Sequence, residues 1–430
     1  MRHADTIVAP ITPPGVGAVS VIRVSGPRAF EVIRELFDGL PATPETHRAY
    51  YGRFSQGDEG LVLAYADGHG YTGEPAAEAM IHGSPASVGL LVESALRAGA
   101  RLAEPGEFTL RAFLNGKMDL SQAEAVRDTI EAQTDLQLRF ASAQRSGGLR
   151  DSVREMRSQL TGALAAVEAH VDFSEELGDL DRGFIRGIVE SVVDEIEQWL
   201  ATERAGQIVR YGLRIALIGE PNAGKSSLLN ALLARDRAIV TPIAGTTRDT
   251  IEEPVVLGGV PCVLIDTAGL RETEDPIEAL GVARSQAAAA NADAVWYLHD
   301  ITLPTPVPEP ECDLLVLTKG DLAEDVIPAR PNLLVSTVTG QGLADLHRWV
   351  ATQAEVSPDR SCLIDARHAP LFRRALEGLS LVVQTLDHDQ PDDLLSVGLR
   401  EALASLGEIT GETASGDILS SIFSSFCIGK

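Results

Sequence analysis

The chain has 430 residues, too many for one ordinary core, and at roughly 150 residues per domain it divides into two to four units. Its apolar content of 44% suits folded domains, and a formal net charge of −26 favours solubility over non-specific binding to phosphate backbones. No uninterrupted apolar run reaches the roughly 18 residues of a membrane span, "MRHADTIVAP" lacks a signal-peptide h-region, and four cysteines without C-x-x-C spacing argue against a disulfide scaffold or zinc site. Cytoplasm is therefore the expected location. Among 36 basic residues only Lys117, Lys225, Lys319 and Lys430 are lysines, which marks these four as candidates for sites that need a compact ammonium.

In chain order, residues 1–118 mix β-branched runs such as "VGAVSVIRVSG" with Gly/Pro turns and one helical stretch, "PRAFEVIRELF", and read as a small α+β domain. Residues 119–210 read as the first part of a helical domain. Ser121 and Glu124 form an S-x-x-E capping-box pattern, and Val153, Met156, Leu160, Leu164, Val167 and Val171 follow at three- and four-residue steps as a bundle face. Residues 211–356 alternate apolar runs with helical stretches, as βα units do, and carry a proline-rich loop, "LPTPVPEPE". Residues 357–430 return to a helical pattern, so the simplest architecture is an α/β domain inserted in a helical one.

"GEPNAGKS", Gly219 to Ser226, fits G-x-x-x-x-G-K-[ST] and lies between the apolar strand "LRIALI" and the helical "SSLLNALL". In a P-loop the glycines turn backbone N–H groups inward on the phosphates, Lys225 reaches the β/γ oxygens and the Ser226 hydroxyl ligates Mg²⁺. Downstream, "VLIDTAGL" ends a strand in Asp266, with the Gly269 N–H placed to sense the γ-phosphate, and "LLVLTKGD" ends another in Thr318, Lys319 and Asp321. A carboxylate such as Asp321 accepts from both N1–H and the exocyclic amine of guanine, donors that adenine lacks there, so GTP is favoured over ATP. Leu270 follows D-x-x-G and cannot orient water as a glutamine would. The loop "TPIAGTTRD" and Asn222 suggest another solution, a monovalent cation held by Asn222 and loop carbonyls in the place of an arginine finger.

"NAGKSSLLNAL", "IAGTTRD", "DTAGLRE", "AFLNGKMDLSQAEA" and the terminal "IFSSFCIGK" together resemble the bacterial tRNA uridine-modification GTPases of the MnmE (TrmE) family, over nearly the whole chain. The resemblance implies a folate-binding N-terminal α+β domain that dimerises, a helical bundle domain and a Ras-like P-loop GTPase domain inserted in it. It also implies a homodimer, activated by potassium-dependent dimerisation of the GTPase domains. With an FAD-dependent partner, MnmG (GidA), in a heterotetramer or larger complex, such a protein adds an aminomethyl or carboxymethylaminomethyl group at C5 of the tRNA wobble uridine. The one-carbon unit would come from a 5-formyl- or methylene-tetrahydrofolate.

Carried over by motif, GTP contacts fall on Asn222, Ala223, Gly224, Lys225, Ser226, Ser227, Thr241, Pro242, Ile243, Ala244, Gly245, Thr246, Thr247, Asp266, Thr267, Ala268, Gly269, Thr318, Lys319, Asp321 and Ser336. Potassium would be bound by Asn222 and the Thr241, Ile243 and Thr246 carbonyls, and magnesium by Ser226 and Thr247. Glu278 stands where the family orients the attacking water; Arg23, Glu78, Lys117 and Lys430 match its folate contacts. Thr318 replaces the family's usual Asn, a change expected to loosen the bridge between base site and P-loop, and Thr337 follows Ser336 where the family has Ala. For "SSFCIGK" the best reading is a tail reaching into an active site, anchored by Phe423 and Phe426 and delivering Cys427 as a catalytic thiol. The alternative from another class is a ribosome-assembly or signalling GTPase switch without modification chemistry of its own.

Overall fold

In the computed structural model, residues 5–173, 178–236, 251–266, 289–303, 311–323, 332–354, 362–388 and 390–429 are described. The chain forms two compact units, one of residues 1–127, 145–162 and 400–430, the other of residues 128–144 and 163–399.

The first unit is built on a sheet of β1 (Ile7–Pro10), β2 (Gly17–Ser25), β3 (Arg48–Arg53), β4 (Glu59–Tyr65), β5 (Ala76–Gly83) and β6 (Arg101–Leu102) in the order β3-β4-β5-β2-β1-β6. All neighbours are antiparallel except β1 and β6. Side chains alternate between faces along each strand. Ile22, Val24, Val62, Ala64, Ala77, Ala79 and Ile81 cluster with Val32, Ile33 and Leu36 of helix Ala29–Leu36 and with Leu91 and Ala95 of helix Pro85–Arg97. The opposite face carries the register-matched row Tyr51, Leu61, Met80 and Val21, of which Tyr51 and Leu61 are exposed.

Arg111, wholly buried in helix Glu107–Leu114, ties this unit together. Its Nη2 donates to Asp5 Oδ1 and Glu107 Oε1, both at 2.8 Å, and its Nη1 donates to the Asp5 carbonyl at 3.0 Å and Glu74 Oε2 at 3.3 Å. Arg101 in β6 adds a second guanidinium, 2.6 Å from Glu107 Oε1. A charge this deep is tolerated because every arm of the fork meets an acceptor.

Helix Leu120–Glu131 opens two residues earlier than the S-x-x-E pattern implied. Asp119 Oδ1 accepts from the Gln122 N–H at 2.8 Å and the Ser121 hydroxyl at 2.7 Å, while Gln122 Oε1 accepts from the Asp119 N–H at 3.1 Å. The reciprocal box is Asp119 with Gln122, so Ser121 and Glu124 lie inside the helix. The expected stripe on helix Gly148–Asp172 also needs correction: Val153, Met156, Leu160, Ala163 and Val167 are buried, Leu164 only partly, and Val171 is exposed. Successive four-residue steps drift off a 3.6-residue stripe, and Ala163 restores the alternation.

In the second unit β7 (Leu213–Gly219), β8 (Ile251–Leu257), β9 (Val260–Asp266), β10 (Ala294–Asp300), β11 (Leu314–Thr318) and β12 (Asn332–Leu334) lie in the order β12-β11-β10-β7-β9-β8. All pairs are parallel except β8 with β9. Ile215, Leu217, Leu264, Trp296, Leu298 and Val316 form its buried core with Leu228 and Leu232 of helix Lys225–Asp236 and Leu346 and Val350 of helix Leu343–Gln353. The strand order reverses at β7, so ligand chemistry belongs at the carboxyl ends of these strands. Helices Arg182–Leu200 and His368–Asp387, before and after the α/β segment in sequence, pack on each other, with Trp199 and Phe372 stacked at 6.5 Å. This is the arrangement of an inserted α/β domain.

Burial pushes the Glu107 carboxyl up, but Arg101, the Glu104 N–H and Arg111 outweigh it and hold the carboxyl below its ordinary value of 4.5. A depressed folded-state value stabilises the fold above the unfolded value and loses that contribution as pH falls through the folded one. Glu107→Gln should therefore cost about 3 kcal/mol at pH 7, a deficit that shrinks below pH 4.5. Urea midpoints at pH 7 and pH 3.5 check this, and a deficit independent of pH would contradict it.

Candidate functional site

At the carboxyl end of β7 the chain turns through Gly219 to Gly224 into helix Lys225–Asp236, so the helix's first N–H groups and its dipole face the loop. A Cβ on Gly219 would lie 2.2 Å from the Leu298 carbonyl, so the turn requires glycine there. Asn222 takes φ 62 and Gly224 φ 88, the left-handed conformations that curl the loop. Lys225 is buried, its Nζ donating to the Gly219 and Glu220 carbonyls at 2.8 Å each. Burial pushes its ammonium below the ordinary lysine value, with Asp266 opposing the shift. Ser226 Oγ lies 3.4 Å from Asp266 Oδ2 at the end of β9, which brings a hydroxyl and a carboxylate together on one side of the loop.

The segment at the end of β11 closes onto the same loop. Thr318, buried at the end of β11, donates from Oγ1 to the Ala223 carbonyl at 2.8 Å, with the His299 carbonyl 3.2 Å away. The bridge that the substitution was expected to loosen is thus made by a hydroxyl. Lys319 takes φ 58, a strained value for a non-glycine residue, and its ammonium meets the buried Asp300 carboxylate. Burial raises Asp300, but Lys319 and Thr302 more than offset it and hold the carboxyl below its ordinary range. Asp321 Oδ1 accepts from the Ser336 hydroxyl at 2.6 Å, while the Ser336 N–H is taken by the Gln341 carbonyl. Ser336 therefore orients Asp321 through its side chain, and its own amide is engaged within the protein.

The sequence reading overlooked Asp300. "AVWYLHD" ends an apolar strand in Asp just as "VLID" does, and that repetition was the available signal. Thr241, Pro242, Ile243, Ala244, Gly245, Thr246, Thr247, Thr267, Ala268, Gly269, Glu278 and Lys430 lie outside the described residues. Among the described residues no group of three or more His, Cys, Asp or Glu forms a metal cluster. Ser226 and Asp266 nonetheless fit magnesium, which takes one or two protein oxygens and completes its shell with water and phosphate.

In the first unit Arg23 and Glu78 are register partners on β2 and β5, with Arg23 Nη2 2.8 Å and Nε 3.0 Å from Glu78 Oε1. The guanidinium lies over two rings, 4.8 Å from the Tyr71 centroid and 5.4 Å from that of Phe108. Neither ring was singled out from sequence, because the contact joins residues distant along the chain. Lys117 Nζ donates to the Gly68 carbonyl at 3.0 Å.

The C-terminal tail docks on this unit. Helix Gly416–Ser424 buries Phe423, and Phe426 follows it into a cluster with Leu120 and Ala123. The Cys427 carbonyl accepts from the Gly106 N–H at 3.4 Å, and Ile428 bridges to Pro105. A Cβ on Gly106 would sit 2.5 Å from the Phe423 carbonyl, and one on Gly429 2.2 Å from that of Pro10. Pro10 follows Ala9, the β1 partner of Arg23, so the tail ends beside the strand pair that carries the arginine. The Cys427 side chain is exposed.

Ser336→Ala leaves Asp321 without the hydroxyl that orients it, and should weaken GDP binding roughly 3- to 10-fold without loss of folded protein. Titration with a fluorescent GDP analogue measures it; unchanged affinity would show that Asp321 is held by other means.

The profile of the MnmE helical domain matches residues 120–427, and that of the GTP-binding protein TrmE N-terminus matches residues 6–117. The tRNA modification GTPase MnmE of Roseiflexus sp. is 41% identical over 100% of both chains. That of Chloroflexus aurantiacus is 43% identical over 99% of this chain and 100% of its own, and that of Hyphomonas neptunium 41% over 100% of both. Among solved structures, the G domain of the T. maritima FeoB iron transporter is 26% identical and covers 33% of this chain and 99% of its own, at a TM-score of 0.25. With its P-loop and the end of β11 closed on one another and its whole length matched, this chain belongs to the MnmE family of tRNA modification GTPases.

Proposed function

We propose that this GTPase is activated by potassium and, with an FAD-dependent partner, adds an aminomethyl or carboxymethylaminomethyl group at C5 of the tRNA wobble uridine, using a tetrahydrofolate one-carbon unit. The observation that carries this reading is the Arg23–Glu78 pair, backed by two aromatic rings and flanked by the docked tail with its exposed thiol. A guanidinium beside aromatic faces suits a flat ligand bearing carboxylates, as folates are. Lys117 and Lys430 complete the proposed folate contacts. The proposed organisation is residues 1–118 for folate and dimerisation, 119–210 and 357–430 for the helical domain, and 211–356 for GTP.

In the GTPase site, Lys225 and the loop N–H groups bind the β/γ phosphates, Ser226 with Thr247 holds magnesium near Asp266, and Asp321 reads guanine. Magnesium supplies charge neutralisation on the phosphate oxygens. Asn222, held at φ 62, offers its side-chain oxygen to potassium together with the Thr241, Ile243 and Thr246 carbonyls, and Glu278 orients the attacking water. The exposed row of Tyr51 and Leu61 beside Met80 and Val21 supports a homodimer, since apolar side chains aligned across strands are suited to burial by a second copy. The net charge of −26 supports a division of labour in which the partner, MnmG, supplies much of the tRNA binding. No helix of the described residues is long and apolar enough to cross a membrane, and the proposed location is the cytoplasm.

GTP turnover should rise at least several-fold when potassium replaces sodium at equal ionic strength; equal rates would remove the cation site from the account. Cys427→Ser should abolish the wobble modification, read by mass spectrometry of tRNA nucleosides, while GTP hydrolysis continues. Unaltered modification would reduce the thiol to packing and favour a GTPase switch without its own chemistry.

A further inference from the structure

Two side-chain donors at and beyond the end of β11, the Thr318 and Ser336 hydroxyls, are engaged inside the protein. Thr318 has one hydroxyl proton, and the Ala223 carbonyl at 2.8 Å and the His299 carbonyl at 3.2 Å compete for it. The side chain lies beside Gly224, where an added Cβ would stand 3.6 Å from the Thr318 Cβ, so Thr318 is next to the P-loop backbone. The Lys319 ammonium is held on Asp300, and the Ser336 hydroxyl is given to Asp321. The Asp321 carboxylate can only accept.

From these contacts we infer that Thr318 donates nothing to the acceptor N7 of the purine, so that the residues at the end of β11 read guanine through the donors on its Watson–Crick edge, accepted by Asp321. Thr318 is the residue that sets this specificity: it keeps the mechanical bridge to the P-loop and leaves N7 to water. Exchanging N7 for a C–H then removes only a contact with solvent, and 7-deaza-guanine nucleotides bind as guanine nucleotides do. Thr318→Asn restores a side chain with two N–H donors, one for the Ala223 carbonyl and one free for the base. The inference rests on the reading of Asp321 as the guanine receptor.

The test is competition of GDP, 7-deaza-GDP and ADP against a fluorescent GDP analogue on the full-length protein. For the unaltered chain the dissociation constants of GDP and 7-deaza-GDP should agree within about 2-fold while ADP competes poorly. Thr318→Asn should open a preference of roughly 2- to 10-fold for GDP over 7-deaza-GDP, the worth of one hydrogen bond. Thr318→Val, which removes the bridge but keeps the shape, should weaken both guanine ligands equally. A GDP preference in the unaltered chain as large as in Thr318→Asn, or a Thr318→Val loss confined to GDP, overturns the inference and leaves the guanine reading standing. ADP competing as well as GDP overturns both and places the fault with Asp321.

Discussion

One hydrogen bond makes the nucleotide site a single object. The Thr318 hydroxyl reaches the Ala223 carbonyl, and Gly224, at φ 88, turns the loop that follows β7 beside the end of β11. β7 and β11 are separated by β10 in the sheet, so this bond links two loops that strand pairing alone does not join. Asp300, at the end of the intervening strand, completes the arrangement by holding the Lys319 ammonium. The three strand ends thus present one continuous polar rim, and the apolar strands behind it, with Trp296 and Leu298 wholly buried, supply its rigidity.

Strain falls in the same place. Among the described residues only His47, Asn222 and Lys319 take positive φ without being glycine, and two of the three border the phosphate and base regions. Such conformations persist where surrounding contacts over-determine them. Asn222 lies in the turn into helix Lys225–Asp236, and Lys319 is paired with Asp300.

The first unit uses different physics for a similar end. Its tail is positioned by backbone proximity at glycines, where the Phe423 carbonyl fits over Gly106 and Gly429 fits over Pro10, while Phe423 and Phe426 give the docking its apolar area. The lysine pattern gains meaning from both units. Lys225 is held by the Gly219 and Glu220 carbonyls, Lys319 by Asp300 and Lys117 by the Gly68 carbonyl, so three of the four lysines have named partners.

Local chemistry was legible in the sequence. The P-loop, the strands ending in Asp266 and Thr318, the inserted arrangement of the α/β segment and the anchoring of the tail by Phe423 and Phe426 all follow from spacing, apolar periodicity and residue type, which act over a few neighbours. The capping box was misread by two residues because Asp119 and Ser121 both suit a helix start, and only the backbone geometry selects between them. What the tertiary structure alone decided are the long-range pairings: Thr318 with Ala223, Lys319 with Asp300, Ser336 with Asp321, Arg23 between Tyr71 and Phe108, and the tail beside Gly106. Each joins residues separated along the chain through a hydrogen bond, an ion pair, a ring contact or a close backbone approach, and no local pattern encodes which distant partner a side chain will find.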